Sequence, residues 1–255
     1  MKNNTAIQID KLSMAYGDIT AVDNLNLKVD FGQIYGLLGP NGAGKTTTLR
    51  ILNCILKPSS GNAKIHGFDI INQSDNVKEN TGYLPETPAL YEKLTPEEYL
   101  EFIGELYYVP RSLIKKRSNE LLELFELDGR KEELIGNYSK GMKQKVNICA
   151  TLISDPKILF LDEPTSNLDP ASAKIVKDLI KSLVKDANRT IFICTHLLNV
   201  AKELCDRIGI IDKGCLLTEG TPKEIIDSGN YKNLEEAYLN ILNISHTKDL
   251  LKWRN

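Results

Sequence analysis

The chain has 255 residues, of which 42% are hydrophobic and 26% are charged, which is enough apolar content for one large domain or two small ones. Its formal net charge is −2, whereas a nucleic-acid-binding protein normally carries a strongly basic face. The composition therefore predicts a globular protein and argues against a nucleic-acid partner.

The N-terminal segment has the alternating pattern of two half-exposed strands. Apolar and polar residues alternate over residues 6–12 and again over 21–29, with a Tyr-Gly-Asp sequence at 16–18 between them. Two such strands joined by a turn predict an antiparallel sheet at the start of the chain.

A glycine-rich segment, GPNGAGKTT at residues 39–47, follows this sheet. The apolar run before it, residues 33–38, has the length of a strand, and residues 47–56 after it have helical spacing up to Lys57-Pro58. Strand, loop and helix in this order distinguish a phosphate-binding G-x-x-x-x-G-K-[ST] loop from an ordinary glycine-rich turn. The segment therefore predicts a site for the phosphates of a nucleotide.

The residue types of this loop indicate how it would bind. Glycines at 39, 42 and 44 let backbone N–H groups point at phosphate oxygens, beside the positive end of the following helix dipole. Lys45 would reach the β- and γ-phosphates, and the Thr46 hydroxyl would supply one of the oxygen ligands that Mg²⁺ prefers. The predicted ligands are ATP and Mg²⁺.

Helical patterns replace the strands in the middle of the chain. A capping box at Thr95, with proline at the first helical position, predicts one helix, and further helical patterns cover residues 112–127 and 139–153. We therefore predict an inserted helical subdomain over residues 88–153.

The α/β pattern resumes after Asp155-Pro156. Strands are predicted at 157–161, 190–194 and 207–211, and helices from Asp169-Pro170, near 197–204 and from Thr221. Such alternation is typical of a mainly parallel sheet with helices on both faces. The predicted fold is α/β: a P-loop NTPase (RecA-like) core over residues 1–87 and 154–222, with an N-terminal antiparallel β subdomain and the inserted α-helical subdomain. A helical tail, residues 223–255, includes Trp253.

Two adjacent carboxylates end the apolar run at residues 158–161. They would lie at the carboxyl end of a strand, where open α/β sheets bind ligands. Because neighbouring residues of a strand point in opposite directions, the two cannot share one role. Asp162 is the natural partner of Mg²⁺, and Glu163 is the natural general base for the attacking water. A carboxylate pair can also simply cap a strand, but the upstream phosphate loop favours the functional interpretation.

Two single residues have both a structural and a functional interpretation. Tyr16, ahead of the phosphate loop, could stack on an adenine or be an ordinary surface tyrosine. His196 follows the strand that ends at Cys194, so its imidazole should lie at the same sheet edge, near a γ-phosphate. A lone histidine is usually structural, yet its place at a strand end favours a role in the site.

Cysteine usage and hydropathy predict the compartment. The five cysteines (Cys54, Cys149, Cys194, Cys205, Cys215) show no C-x-x-C spacing, which argues against a disulfide framework or a zinc site and fits a reducing compartment. The first residues lack an apolar signal core, and no run approaches the roughly 18 apolar residues of a membrane span. We expect a soluble, cytoplasmic protein.

Over residues 5–220 the chain resembles the nucleotide-binding subunit of an ABC (ATP-binding cassette) transporter. The resemblance places the Walker A motif at Gly39, Asn41, Gly42, Ala43, Gly44, Lys45, Thr46 and Thr47, and the Walker B motif with its catalytic glutamate at 158–163. Tyr16 falls at the adenine-stacking position, Ser166-Asn167-Leu168-Asp169 at the D-loop and His196 at the switch histidine. Ser139 and Gly141, in YSKGM at 138–142, fall within the family's LSGGQ signature.

Two positions depart from the common family pattern. Lys140 and Met142 replace the first glycine and the glutamine of the signature, while the hydroxyl, the close backbone N–H and the helix N-terminus that receive a γ-phosphate are kept. Glu86 stands where most members have the Q-loop glutamine, and its carboxylate could bind Mg²⁺ or orient water. Both variants are similar to those of the branch that exports drugs, peptides and antibiotics.

The resemblance also implies partners. In the family two cassettes meet head to tail, so ATP on the phosphate loop of one is covered by Ser139 and Gly141 of the other, and Asp169 contributes at the same site. The cycle drives a transmembrane permease subunit, which would hold this chain at the inner face of the cell membrane. Tyr91 and its neighbours are the predicted permease-docking residues. The second cassette could be a copy of this chain or a related one, and self-pairing is the simpler prediction.

Three alternatives compete with this interpretation. A soluble ABC-type ATPase of ribosomes or DNA repair would have two fused cassettes or a long coiled-coil insert. A nucleotide kinase would lack the signature. A regulatory module that only holds ATP would not need Lys45, Asp162, Glu163 and His196 together.

Overall fold

The computed structural model describes residues 4–244. Its strands are β1 Thr5–Tyr16, β2 Ile19–Asp30, β3 Ile34–Leu38, β4 Ser60–Ile65, β5 Phe68–Asp69, β6 Thr81–Leu84, β7 Ile158–Asp162, β8 Thr190–Thr195, β9 Arg207–Asp212 and β10 Cys215–Gly220. Its helices are α1 Lys45–Leu52, α2 Ser74–Asn80, α3 Pro96–Leu106, α4 Arg111–Leu124, α5 Lys140–Leu152, α6 Pro170–Lys185, α7 Leu198–Leu204, α8 Pro222–Ser228 and α9 Leu234–Ile241. Short 3-10 turns lie at 128–130 and 135–137.

The first sheet is antiparallel, with strand order β2-β1-β4-β5. This confirms the predicted N-terminal β subdomain. Tyr16 is the last residue of β1 and pairs with Ile19 of β2, so it stands at the start of the turn.

The second sheet has the order β10-β9-β3-β8-β7-β6. The strands from β9 to β6 are parallel to one another, and β10 is an antiparallel strand at one edge. Every residue of β3, β7 and β8 is buried, as expected for parallel strands covered on both faces. Parallel strands bring their carboxyl ends to one edge, and both the phosphate loop after β3 and the acidic end of β7 lie there.

Two apolar clusters cover the faces of this sheet. Since successive side chains of a strand point to opposite faces, Leu159 and Leu161 of β7 join a cluster with the helical insert, α6 and α7. Phe160, between them, joins the cluster beneath the antiparallel sheet and packs near Phe192 of β8. The parallel sheet is therefore held rigidly between two cores, which fixes the edge that carries the site.

The helical insert contains α3, α4 and α5, and its first helix begins with the predicted capping box. The Thr95 hydroxyl accepts from the Glu98 N–H at 3.2 Å, and the Thr95 N–H donates to the Glu98 carboxylate at 2.8 Å. The division into core, insert at 88–153 and tail from 223 stays a prediction.

Local details differ from the sequence prediction. The helix predicted over 47–56 ends at Leu52, because Cys54 adopts a left-handed φ of 55° and its N–H donates to the Ile51 carbonyl at 2.9 Å instead of continuing the helix. Neither α2 nor β10 was predicted. The tail helices α8 and α9 reach Ile241, and Trp253 lies outside the described residues. Within 4–244 no helix has both the length and the apolar character of a membrane span.

Candidate functional site: a nucleotide cavity at the sheet edge

The phosphate loop needs glycine for two separate reasons. Gly42 and Gly44 have φ of 80° and 104°, in the region that side-chain-bearing residues rarely adopt. A Cβ on Gly39 would lie 2.3 Å from the Ile211 carbonyl oxygen, and one on Gly44 would lie 2.3 Å from that of Ala21. The loop therefore keeps its shape only with a bare backbone at these positions.

The loop borders a cavity of about 250 Å³ at the carboxyl edge of the parallel sheet. Its lining residues are Ala21, Asn41, Gly42, Gly44, Lys45, Thr46, Thr47, Glu86, Asp162 and Glu163. The N-terminus of α1 opens into this cavity, so backbone N–H groups and the positive end of the helix dipole are available to an anion. The phosphate-loop residues and the acidic residues predicted separately from the sequence thus meet in one place.

Lys45 is the first residue of α1 and is almost fully buried. Its ammonium donates to the Gly39 carbonyl at 2.7 Å and to the Pro40 carbonyl at 3.0 Å. These two bonds hold the charge at the mouth of its own loop, where it can exchange a carbonyl for a phosphate oxygen.

Thr46 and Asp162 join the loop to β7. The Thr46 hydroxyl donates to the Asp162 carboxylate at 2.7 Å. The pKa of Asp162 is raised to about 6, chiefly by burial and to a smaller extent by the neighbouring carboxylates of Glu86 and Glu163, against the opposing effects of the Thr46 bond and Lys45. A buried carboxylate with two acidic neighbours and a hydroxyl partner is well placed to gain from a cation.

Glu163 follows β7 in a left-handed conformation, with φ 49°, that turns its side chain toward β8. Its carboxylate accepts from the Thr195 hydroxyl at 2.7 Å and from the His196 N–H at 2.8 Å, and the His196 ring nitrogen Nδ1 lies 2.6 Å away. Asp162 and Glu163 therefore have different partners, and the direction of Glu163 is set by the turn after β7 and not by the strand alternation assumed in the sequence prediction. The carboxylate that would activate water is oriented by two residues of the next strand end.

The donor set suits Mg²⁺. The hydroxyl of Thr46 and the carboxylates of Asp162 and Glu86 border one cavity, and Mg²⁺ prefers oxygen ligands while keeping several waters. Among residues 4–244 no cluster of three or more His, Cys, Asp or Glu side chains is arranged as a complete metal cage. These residues therefore fit a cation that takes its remaining ligands from water and phosphate.

Several predicted site residues lie outside the cavity lining: Tyr16, Gly39, Ala43, Ser139, Gly141, Asp169 and His196. Gly39 and Ala43 shape the loop from behind, and His196 contacts the cavity only through Glu163. Ser139 is the N-cap of α5, with its hydroxyl accepting from the Met142 N–H at 3.3 Å. Asp169 is the N-cap of α6 and accepts from Ala171 and Ser172.

The sequence argument missed two contributors. Thr195 holds Glu163, and Ala21 lines the cavity from the antiparallel sheet. A hydroxyl residue between a buried strand and a candidate histidine could have indicated Thr195. Nothing in the pattern around Ala21 distinguishes it from other strand residues.

Comparison with known proteins decides the family. The model of the ABC transporter family matches residues 22–166, more than half of the chain. The chain belongs to the ABC transporter family. It is 39% identical over 222 residues to a daunorubicin resistance ATP-binding protein of Streptomyces coeruleorubidus, covering 87% of this chain and 70% of that one. It is also 39% identical over 232 residues to the bacitracin transport ATP-binding protein of Bacillus licheniformis, covering 91% and 74%.

Solved structures agree with this assignment. An ATP-binding subunit of an ABC transporter superposes with a TM-score of 0.87 at 30% identity, covering 93% of this chain and all of that one. A dimeric ATP-binding cassette in a post-hydrolysis state with ADP and Pi gives 0.78 at 27% identity, covering 84% and 98%. The family and the P-loop fold predicted from the sequence are confirmed, and the nucleotide-kinase alternative is wrong. This ABC protein is an ATP-binding subunit and an ATPase.

Proposed function

We propose that this ABC subunit hydrolyses Mg²⁺-ATP to power a separate membrane permease that exports a drug, peptide or antibiotic. The observation that carries the proposal is the single cavity in which Lys45, Asp162 and Glu163 meet, with the Glu163 carboxylate held by Thr195 and His196. A module that only stored ATP would not need an oriented carboxylate beside the phosphate loop.

Within the cavity each residue has a distinct task. Backbone N–H groups of the loop and the Lys45 ammonium bind the β- and γ-phosphates, because both present positive charge at the N-terminus of α1. Glu163 takes the proton of the attacking water, and its bonds to Thr195 and His196 keep the carboxylate aimed at one position. Its proposed role as base rests on this geometry.

Thr46, Asp162 and Glu86 are the proposed Mg²⁺ residues. Bound Mg²⁺ would neutralise phosphate charge. Asp162 gains from this arrangement, since a cation offsets both causes of its raised pKa, which are burial first and repulsion from Glu86 and Glu163 second.

A second cassette completes the proposed site. Ser139 and Gly141 stand at the exposed N-terminus of α5, which can receive the γ-phosphate of ATP held by the partner's loop. Asp169 caps α6 close in sequence to the D-loop residue Asn167, whose carbonyl oxygen lies 3.0 Å from a Cβ built on Gly141. The signature and the D-loop are thus packed together and would meet a partner as one surface. Both sides of the interface are intact in this chain, so self-pairing is the proposed arrangement.

The permease is proposed to dock on an exposed aromatic patch formed by Tyr91 and Phe102. The Tyr91 side chain is 58% exposed, and its ring lies 5.4 Å from that of Phe102, edge to face, and 6.2 Å from that of Tyr99. A small cleft beside it is lined by Tyr83, Tyr99, Ile103 and Tyr107, among other residues. Amphipathic helices bind in such grooves through apolar anchors. This docking would hold the subunit at the inner face of the membrane.

Export of a drug or antibiotic is supported by relatives named for daunorubicin resistance and bacitracin transport. The test is an efflux assay in cells that carry this subunit and its permease, with a panel of an anthracycline, a peptide antibiotic and an unrelated dye. Wild type should lower cellular accumulation of one class of compound, while Glu163→Gln should not. Equal accumulation of every compound in both would contradict export.

A further inference from the structure

The segment from Glu86 to Leu94 touches three functional regions. Glu86 lines the nucleotide cavity, and Tyr91 belongs to the exposed aromatic patch. The next residue, Glu92, contacts α5, the helix that begins with the signature. This segment, called here the docking segment, is therefore a direct physical link between the patch and both halves of the ATP site.

Backbone bonds fasten the docking segment to the turn that precedes the signature. The Ile135 N–H donates to the Leu94 carbonyl and the Gly136 N–H to the Glu92 carbonyl, both at 2.9 Å. A Cβ on Gly136 would lie only 3.0 Å from the Glu92 carbonyl oxygen, so glycine permits this close approach. The chain reaches Ser139 three residues later, which leaves little slack between the docking segment and the signature.

One side-chain contact joins the docking segment to the signature helix itself. The Lys143 ammonium lies 2.5 Å from the Glu92 carboxylate, although the two residues are 51 positions apart. The backbone N–H of Lys143 donates to the Ser139 carbonyl at 2.9 Å and so closes the first turn of α5. Glu92 therefore binds the first turn of α5, which begins at Ser139 with the signature hydroxyl.

Helix electrostatics favour an acidic partner such as Glu92 at this helix end. The positive end of a helix dipole disfavours lysines in the first turn and favours acidic residues there. The first turn of α5 has no acidic residue, starts with Lys140 and is closed by Lys143. Glu92 supplies the missing negative charge from another segment. The stability of this helix end thus depends on where the docking segment lies.

We propose that Glu92 and Lys143 are a positioning pair that couples the permease-docking patch to the signature helix. Displacement of the docking segment by a permease helix would move the first turn of α5, and with it Ser139, toward or away from the ATP of the second cassette. Neither residue lines the nucleotide cavity, so the pair acts through Ser139 and not on the nucleotide directly. This inference rests on the proposed function, because it requires the signature to close over a partner's nucleotide.

The test compares pair variants in the Glu163→Gln parent, which should retain ATP. Glu92→Gln and Lys143→Gln should each weaken ATP-dependent dimerisation about fivefold, because each protomer of the dimer loses one partly exposed ion pair that positions its signature. The double variant should be no weaker than either single variant, and the charge swap Glu92→Lys with Lys143→Glu should restore dimerisation. Affinity of the monomer for ATP should not change. Sedimentation velocity over a concentration series gives the dimer dissociation constants.

A matched control is available on α6, where Lys174 pairs with Asp178 at 2.6 Å on an exposed face. Lys174→Gln removes a comparable lysine charge and should leave dimerisation unchanged. If the pair variants dimerise as the parent does, or if the two single effects simply add and the swap restores nothing, the positioning role is wrong. A parent that stays monomeric in ATP would contradict the proposed function first and would remove this inference with it.

Hydrogen exchange tests the coupling itself. The Gly136 amide is bonded to the docking segment, and the Leu94 amide lies within it, donating to the Tyr91 carbonyl at 3.0 Å. Addition of ATP to the dimerising parent should change the exchange of peptides that contain these amides, and Lys143→Gln should abolish that change even at concentrations that force dimerisation. An identical ATP response in parent and variant would overturn the coupling.

Discussion

The proposed ATP site has a phosphate-loop half and a signature half, and the two differ in how many of their polar groups find partners within one chain. Lys45 is buried with two carbonyl partners, and the Thr46 hydroxyl bonds Asp162 at the end of β7, which is separated from β3 by β8. Ser139, by contrast, is exposed and caps a helix whose first turn is cationic. The difference fits the proposed function, in which the phosphate-loop half is preformed in the monomer and the signature half receives an anion from outside the chain.

The strongest test of this contrast separates chemistry from binding. Glu163→Gln should reduce hydrolysis by about a hundredfold or more, because it removes a general base. Binding of ATP should persist, since Lys45 and the loop amides remain. Steady-state hydrolysis and equilibrium binding of a fluorescent ATP analogue measure the two effects. Equal loss of both would contradict the role assigned to Glu163.

The preformed half should depend on its buried lysine. Lys45→Ala should weaken ATP binding by the monomer about tenfold to a hundredfold, as expected when a charged hydrogen-bond donor to phosphate is lost. Titration calorimetry on the monomer measures this effect. Lys174→Ala, on the exposed face of α6, is the control and should bind normally. If Lys45→Ala bound ATP as tightly as wild type, the phosphates would have to bind elsewhere.

A substitution in the signature half should have the reverse effect, because it should weaken dimerisation and leave ATP binding by the monomer unchanged. Ser139→Ala in the Glu163→Gln background should weaken the ATP-dependent dimer about fivefold to tenfold, because one hydroxyl per site is lost, and should leave ATP binding by the monomer intact. Ser139→Gly keeps a good N-cap backbone and distinguishes loss of the hydroxyl from loss of the helix cap. If Ser139→Ala removed ATP binding by the monomer, the head-to-tail arrangement would be wrong.

The last prediction concerns stability and pH. The pKa of Asp162 is raised to about 6 in the folded protein, above the value of about 4 for an ordinary aspartate. The folded state therefore prefers the protonated carboxyl, and ionisation of Asp162 opposes folding. The stability that protonation provides is fully present below about pH 4 and is lost as the pH rises through 6. Without nucleotide or Mg²⁺, the free energy of unfolding of Asp162→Asn should therefore exceed that of wild type by about 1–2 kcal/mol at pH 8. At pH 4 the variant should have no such advantage. Urea unfolding at both pH values measures the difference, and a variant that is less stable than wild type at pH 8 would contradict the sign.

Local chemistry was readable from the sequence, and long-range contacts were not. The glycine loop, the capping box at Thr95 and the N-cap at Asp169 depend on residues within a few positions of one another, so spacing alone predicted them. The bond from Thr195 to Glu163 spans 32 residues, and it exists only because β7 and β8 lie side by side.

The Glu92–Lys143 pair shows the same limit. Each residue alone looks like a solvated surface charge, and only the fold brings them together across 51 positions. The proposed phosphate-binding residues are therefore found by pattern, whereas the proposed positioning residues are found by structure.

The central claim is that a second copy completes the ATP site, and the solution mass of the Glu163→Gln protein tests it most directly. Light scattering during gel filtration, with and without Mg²⁺-ATP, gives this mass. The account predicts a monomer without nucleotide, a dimer of twice the chain mass with Mg²⁺-ATP, and a monomer again when Lys45→Ala is added. A protein that binds ATP and remains monomeric would contradict the claim that two copies of this chain suffice.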